Sequence, residues 1–321
     1  SEMCIRDRHM ADVIAQECDA AEGDILAFLP GAGWIRRVAR LLAPAVGPDV
    51  VIRPLHGQLP GPDQDRAVQP DPEGRRKVIL STDIAETSLT IDGVRVVVDG
   101  GQRRAPRHDP RSGLTRLETV RISEASADQR RGRAGRQAPG RCHRLWSEAD
   151  HRHLSAFDRP EIATADLRGL VLQLARWGAQ ADELSWLDAP PPSALDEAGR
   201  ALQAVGAVEP GGRITSHGAA MLELGAEPTL GHMLVRAREL DLGAVACDVA
   251  AVLSGRDPIM SRTVDIRDRI AALGGHPQGE TRGGALADAR KAAKRWRRQL
   301  RVGGGADPDD AGAAIALAFP E

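Results

Sequence analysis

Residues 77–101, KVILSTDIAETSLTIDGVRVVVDGG, decide the fold. Residues 78–80 are a short apolar run that turns polar at Ser81, Thr82 and Asp83. A second, β-branched run at 94–98 ends at Asp99-Gly100-Gly101. Apolar runs this short, bounded by turn residues, suit buried strands of a parallel sheet. Between them lie Ser81, Thr82, Asp83, Glu86, Thr87, Ser88, Thr90 and Asp92. Ligands of open α/β sheets bind beyond the carboxyl ends of the strands, so these hydroxyls and carboxylates are read as lining a site there. Taken alone, they equally suit a polar connection with helix caps.

Downstream, residues 129–136 read QRRGRAGR, four arginines and two glycines in eight residues. Arginine presents a planar, permanently charged fork that fits phosphate oxygens, and glycines leave room for a bulky anion. Gln129 beside them suits orientation of a water. These are the parts needed to stabilise charge on a transferring phosphoryl group. Without the upstream segment, a basic solvated helix face explains the same residues. Residues 102–141 hold eleven arginines against four acids, a net +7, so the rest of a chain of net charge −2 carries −9. That concentration is the footprint of a phosphate partner, nucleotide or nucleic acid.

Strands are expected at 25–29, 50–55, 77–80, 94–98 and 142–146, with helices between them, which gives a parallel α/β domain over residues 10–150. The Gly31-Ala32-Gly33 turn suggests a dinucleotide loop, but Arg36 occupies the third glycine position. Residues 103–123 contain two β-leaning stretches around Asp109-Pro110-Arg111-Ser112-Gly113, whose turn chemistry predicts a β-hairpin. Beyond Asp158 the pattern is helical: 165–177, 194–205, 221–253 and 285–300. Residues 207–208 and 213–214 flank Pro210-Gly211-Gly212 as a small wing. By their spacing the six basic residues from Arg290 to Arg298 surround their helix evenly, which predicts a solvated or partner-facing helix. From Gly303 a Gly/Asp-rich linker is expected.

In order and spacing these segments resemble the second motor lobe of DEAH-type superfamily 2 helicases. STDIAETSLTIDG (81–93) resembles motif V, QRRGRAGR motif VI, and DILAFLPGAGWIRRV (24–38) motif IV; LHGQL (55–59) with Gln64 resembles the block between. ATADLRGLVLQLARWG (163–178) and LDAPPPS (187–193) are most similar to the bacterial HrpB branch. The resemblance implies a RecA-like lobe over 10–150, a winged-helix-like domain over 151–220, a ratchet-like helical region over 221–302, and a linker or the start of a truncated domain over 303–321. It implies an ATP-dependent RNA helicase using ATP, or another NTP, with Mg²⁺. Arg133, Arg136 and Gln129 are then the catalytic candidates, and Asp92, Gly132 and Thr90 the nucleotide contacts. Thr82, Ser81 and Arg111 are the nucleic-acid contacts, and the hairpin stands where strands separate. Arg130 and Arg131 hold the less constrained positions of motif VI. Asp83 departs from a usual Asn, Trp34 from a usual Glu, and Val68 from the adenine-stacking Phe of eukaryotic relatives.

Neither GxxxxGK[ST] nor Asp-Glu-x-His occurs in the sequence. The phosphate cradle and the carboxylate that holds Mg²⁺ are therefore expected on a first RecA-like lobe preceding residue 10, and the chain is read as a fragment whose partners are that lobe and single-stranded RNA. Residues 1–8 match nothing in the family and are set aside. No apolar run approaches the length of a membrane span. The cysteines, at 4, 18, 142 and 247, show no metal spacing, which suits free thiols in the cytoplasm. A non-catalytic nucleic-acid-binding scaffold is the competing class, and a nucleotide-binding metabolic enzyme a third.

Overall fold

The computed structural model describes residues 2–319 apart from 88, 110–113, 137 and 262. Ser88, Arg111 and the hairpin turn therefore lie outside the described residues. The chain divides into two compact units, Ser1–Ala165 and Asp166–Glu321. Residues 151–165, expected with the second domain, belong to the first unit.

The first unit contains α1 (Glu2–Ala20), β1 (Asp24–Phe28), α2 (Ala32–Leu42), β2 (Val50–Leu55), α3 (Gly61–Val68), β3 (Arg76–Ser81), α4 (Ile84–Thr87), β4 (Val94–Asp99), β5 (Gln102–Asp109), β6 (Leu114–Arg121), α5 (Glu124–Arg131), β7 (Arg141–Arg144) and α6 (Glu148–Arg152). Five strands form one sheet in the order β2-β3-β1-β4-β7, each pair parallel. Side chains alternate across a strand, so each central strand feeds two cores. Ile25, Ala27, Val78, Leu80, Val96 and Val98 pack under α1 and α2 against Met10, Ile14, Ile35 and Val38. Leu26, Phe28, Ile79 and Val97 face the other way, toward Ala67, Ala85 and Ala134. Val68, where eukaryotic relatives stack an adenine, is partly buried against this second core.

α1 starts before the residues expected to fold. It runs from Glu2, and Asp7, 3% exposed, accepts a hydrogen bond of 2.6 Å from Arg37 Nε on α2. β5 and β6 form the expected antiparallel hairpin, in register from Gln102–Arg121 to Asp109–Leu114. The turn into it needs Gly101, at φ +71°, where a Cβ would lie 2.8 Å from the Trp146 ring.

The second unit is helical: α7 (Arg168–Trp177), α8 (Pro192–Ala204), α9 (Ser216–Glu223), α10 (Pro228–Glu239), α11 (Gly243–Leu253), α12 (Ile266–Leu273), α13 (Gly283–Leu300) and α14 (Ala311–Ala318). Leu172, Leu202, Ala207, Val208 and Met221 make a small core. The expected wing is reduced to a single antiparallel bridge, Val208–Ile214. At Gly218 a Cβ would meet the Ala207 carbonyl at 2.1 Å, so α9 sits directly on this turn. His217 and His232, on α9 and α10, hydrogen-bond through ring nitrogens 2.8 Å apart.

A larger core joins α10 to α14, and here two expectations are corrected. α13 is not evenly charged. Leu286, Ala289, Ala293, Trp296 and Leu300 are buried along one side, at the three- and four-residue spacing of an apolar stripe. The Trp296 indole N–H donates to the Leu224 carbonyl at 3.0 Å, and Arg297 pairs with the buried Asp248 at 2.8 Å. Nor is the chain after Gly303 all linker, since α14 buries Ala311, Ala314 and Ala318 in the same core.

Candidate nucleotide and nucleic-acid site

The 81–93 segment begins at the carboxyl end of β3. Ser81 is fully buried, its hydroxyl donating to the Thr82 carbonyl at 2.8 Å and its own carbonyl accepting from Leu29 N at 2.8 Å. It shapes the strand end and presents nothing to a ligand, which corrects its expected role as a nucleic-acid contact. Thr82 is half-buried, with its amide on the Leu55 carbonyl at 3.1 Å, and Asp83 is exposed. From there the chain turns back. Gly93, just after Asp92, accepts from Asp24 N at 2.8 Å, at the amino end of β1. The segment thus does not sit wholly beyond the carboxyl ends as expected. Thr82 lies at one end of the sheet, and Asp92, exposed, at the other.

Motif VI is built on α5. Ser123 caps it, its hydroxyl accepting from Ser126 N at 3.1 Å. The amides of Glu124 and Ala125 donate to the carbonyls of Ser155 and Ala156 at 2.8 and 3.0 Å. All of these are donors that a helix start leaves open. The helix stops at Gly132, which has an ordinary right-handed conformation. Gly140, farther on, has the stricter demand: a Cβ there would lie 2.2 Å from the Ala134 carbonyl and 2.6 Å from that of Arg95. This backbone approach sets the end of motif VI against β4.

Beyond α5 the arginines reach the returning segment. Arg133 donates through Nη1 to the Leu89 carbonyl at 2.7 Å and through Nη2 to the Glu86 carbonyl. Arg136 Nη1 donates to Thr90 Oγ1 at 3.2 Å. Burial, and then the like charge of Arg136, pull the Arg133 guanidinium below its ordinary pKa. Two adjacent cations with backbone and hydroxyl partners are a local excess of positive charge, chemistry that suits an anion. Gln129, Gly132, Arg136 and Thr90 are exposed around them. The structure therefore brings Arg133, Arg136 and Thr90 together, with Gln129 and Gly132 at the same end of α5. It keeps Thr82 apart.

Sequence reasoning missed Arg130. It is 1% exposed, donating to Glu86 Oε2 and Asp99 Oδ1, each at 2.9 Å, with its guanidinium 4.7 Å over the Phe28 ring. Asp99 also accepts from Gly101 N at 2.9 Å. Burial pushes the Asp99 carboxyl up, against the pull of Arg130. The less constrained position is thus the most enclosed side chain of the motif. Its signal was the buried acid ending β4.

A parallel five-stranded lobe with these two segments on it defines a RecA-like helicase C-terminal lobe. The profile of the helicase conserved C-terminal domain matches residues 9–138. Over 244 residues the chain is 47% identical to the ATP-dependent RNA helicase HrpB of Escherichia coli, covering 76% of this chain and 30% of that protein. It is 38% identical over 239 residues to the probable ATP-dependent RNA helicase DHX34 of Mus musculus, covering 74% of this chain and 21% of that one. A crystal structure of the E. coli DEAH/RHA helicase HrpB superposes with a TM-score of 0.85 at 40% identity, over 98% of this chain and 38% of that one. The chain belongs to the DEAH/RHA helicases, as their C-terminal helicase region, and spans well under half the length of these relatives.

Proposed function

We propose that this chain supplies the second half of an ATP-driven motor that moves on single-stranded RNA. The observation that carries the reading is the pairing of Arg133 and Arg136 with the carbonyls and hydroxyl of residues 86–90. Bound ATP with Mg²⁺ supplies the hydrolysable phosphate, and its cradle and metal ligands belong to a preceding lobe. From this chain, Arg136 and Arg133 meet negative charge as it develops. Gln129 orients the attacking water, Gly132 leaves space, and Thr90 and Asp92 border the nucleotide. Thr82, at the opposite end of the sheet, contacts the RNA backbone, which gives affinity without sequence readout. The hairpin β5–β6 stands at strand separation, and Arg111 contacts the nucleic acid. Residues 166–220 act as a winged-helix-like domain and 221–302 as a ratchet-like region. No helix among the described residues is long and apolar enough to cross a membrane, and the cytoplasm is the proposed compartment.

The test compares ATP turnover, with and without oligouridylate, for this chain alone and for a form carrying the preceding lobe. The reading expects turnover only with both halves, stimulated by RNA, with the stimulation reduced by Thr82→Ala. Turnover by this chain alone, abolished by Arg133→Ala, would overturn the division of the site.

A further inference from the structure

Residues 153–164 run along the hairpin, from Asp158 beside Arg103 near its base to Thr164 beside His108 near its turn. The Thr164 carbonyl accepts from His108 N at 3.4 Å, and Asp158 pairs with Arg103 at 3.4 Å. Between this segment and the hairpin lies a cavity of about 330 Å³. Arg103, Arg107, Arg121 and Arg159 line it with one acid, Asp158, and Arg121 is already paired with Asp150 at 2.8 Å. Arg159 has no ion-pair or hydrogen-bond partner among the described residues. Arg103 Nε is buried without one, and Arg107 reaches only an exposed Glu118 at 3.4 Å. At the lip stands Phe157, 76% exposed, in a chain with eight Phe and Trp residues and no Tyr. The other two phenylalanines are accounted for: Phe28 is fully buried and Phe319 only 39% exposed.

An exposed aromatic ring next to an unpaired guanidinium, Arg159, and a partly satisfied one, Arg103, is the pairing that single-stranded nucleic acid needs, a stacking platform with cations for the adjoining phosphate. We infer that Phe157 stacks one base of a single RNA strand while Arg159 and Arg103 hold its phosphate, a subsite separate from Thr82 and from the motif VI arginines. A peptide would want apolar walls or backbone partners, whereas Arg159, unpaired among the described residues, and Arg103, with Nε unsatisfied, favour a polyanion. The inference rests on the RNA-binding reading above.

The test is fluorescence anisotropy of labelled oligouridylate with this chain and its variants. Phe157→Ala is expected to weaken binding on the order of ten-fold, as loss of one stacked base does, and Phe157→Trp to restore it. Arg159→Ala is expected to flatten the dependence of log Kd on log salt by about 0.7, one phosphate contact on a single strand. Because Phe157 is exposed, an unchanged thermal midpoint checks that Phe157→Ala still folds. Binding by the parent that Phe157→Ala leaves within two-fold removes the subsite alone. No binding by the parent removes the RNA reading and the subsite with it.

Discussion

Arg130 and Arg133, three positions apart, commit their charges differently. Arg130 is enclosed with Asp99 and Glu86, whereas Arg133 and the exposed Arg136 rest on neutral oxygens and keep their charge for a ligand. With the preceding lobe present, Arg133→Ala or Arg136→Ala should each lower kcat on the order of 10³-fold and change nucleotide affinity far less. Steady-state kinetics check this, and a kcat within a few-fold of the parent for either variant refutes its assignment. Arg131, exposed and paired only with Asp128 at 3.5 Å, is the proper control. Arg130 is not, because its removal strands a buried carboxylate. Arg130→Ala should cost about 3–5 kcal/mol of stability, read from denaturant unfolding; a loss below about 1 kcal/mol would mean that the pin is not needed.

Among the elements, α13 has the most to lose from one change. Trp296→Ala removes a buried indole and its bond to Leu224, and should cost about 3–5 kcal/mol. Lys291→Ala, on the exposed side, should stay within about 0.5 kcal/mol, so equal losses would contradict the assigned faces. This helix also shows where sequence reading stops. Strands β1, β3 and β4 were legible because their largely apolar runs are short and bounded by polar or turn residues, and the hairpin because its turn residues are distinctive. The stripe on α13 was not, since Ala289 and Ala293 are weak apolar signals among arginines. α14, mostly alanine, was mistaken for linker for the same reason. Arg130 was illegible for another reason: its partners lie 31 and 44 positions away, and no local window shows that a charge is neutralised by the fold. The motif V and VI candidates were readable as residue types at a spacing. That Ser81 is sealed and that the segment returns to the far end of the sheet emerged only once the strands were paired.

For the molecule as a whole, acid acts on the helical unit through two opposed groups. Burial, then His217 and Arg236, hold the His232 imidazole down to about 4. Its contribution to stability is present above the unfolded value of about 6.5 and is lost as pH falls through 4. Burial pushes Asp248 up to about 6 against the pull of Arg297. That contribution is present below about 3.9 and lost as pH rises through 6. Between pH 6.5 and 4 the two slopes oppose each other. Relative to the parent, His232→Gln should reduce the loss of stability on acidification and Asp248→Asn should increase it. Denaturant midpoints from pH 7 to 4 measure both, and profiles parallel to the parent's would rule out these groups. In the lobe, the capped start of α5 has a different consequence. Its amide pole is closed by Ser123, Ser155 and Ala156, so a phosphate met by Arg133 and Arg136, as proposed, would approach the helix at its carbonyl pole, where the peptide dipoles repel it. Phosphate sites at a helix start grip with backbone amides, a hold as fixed as the fold. Here the grip falls to long side chains working against the dipole. On the proposed reading such a hold on the developing charge is withdrawn by rotating a few bonds, with no unfolding of the lobe that carries the arginines.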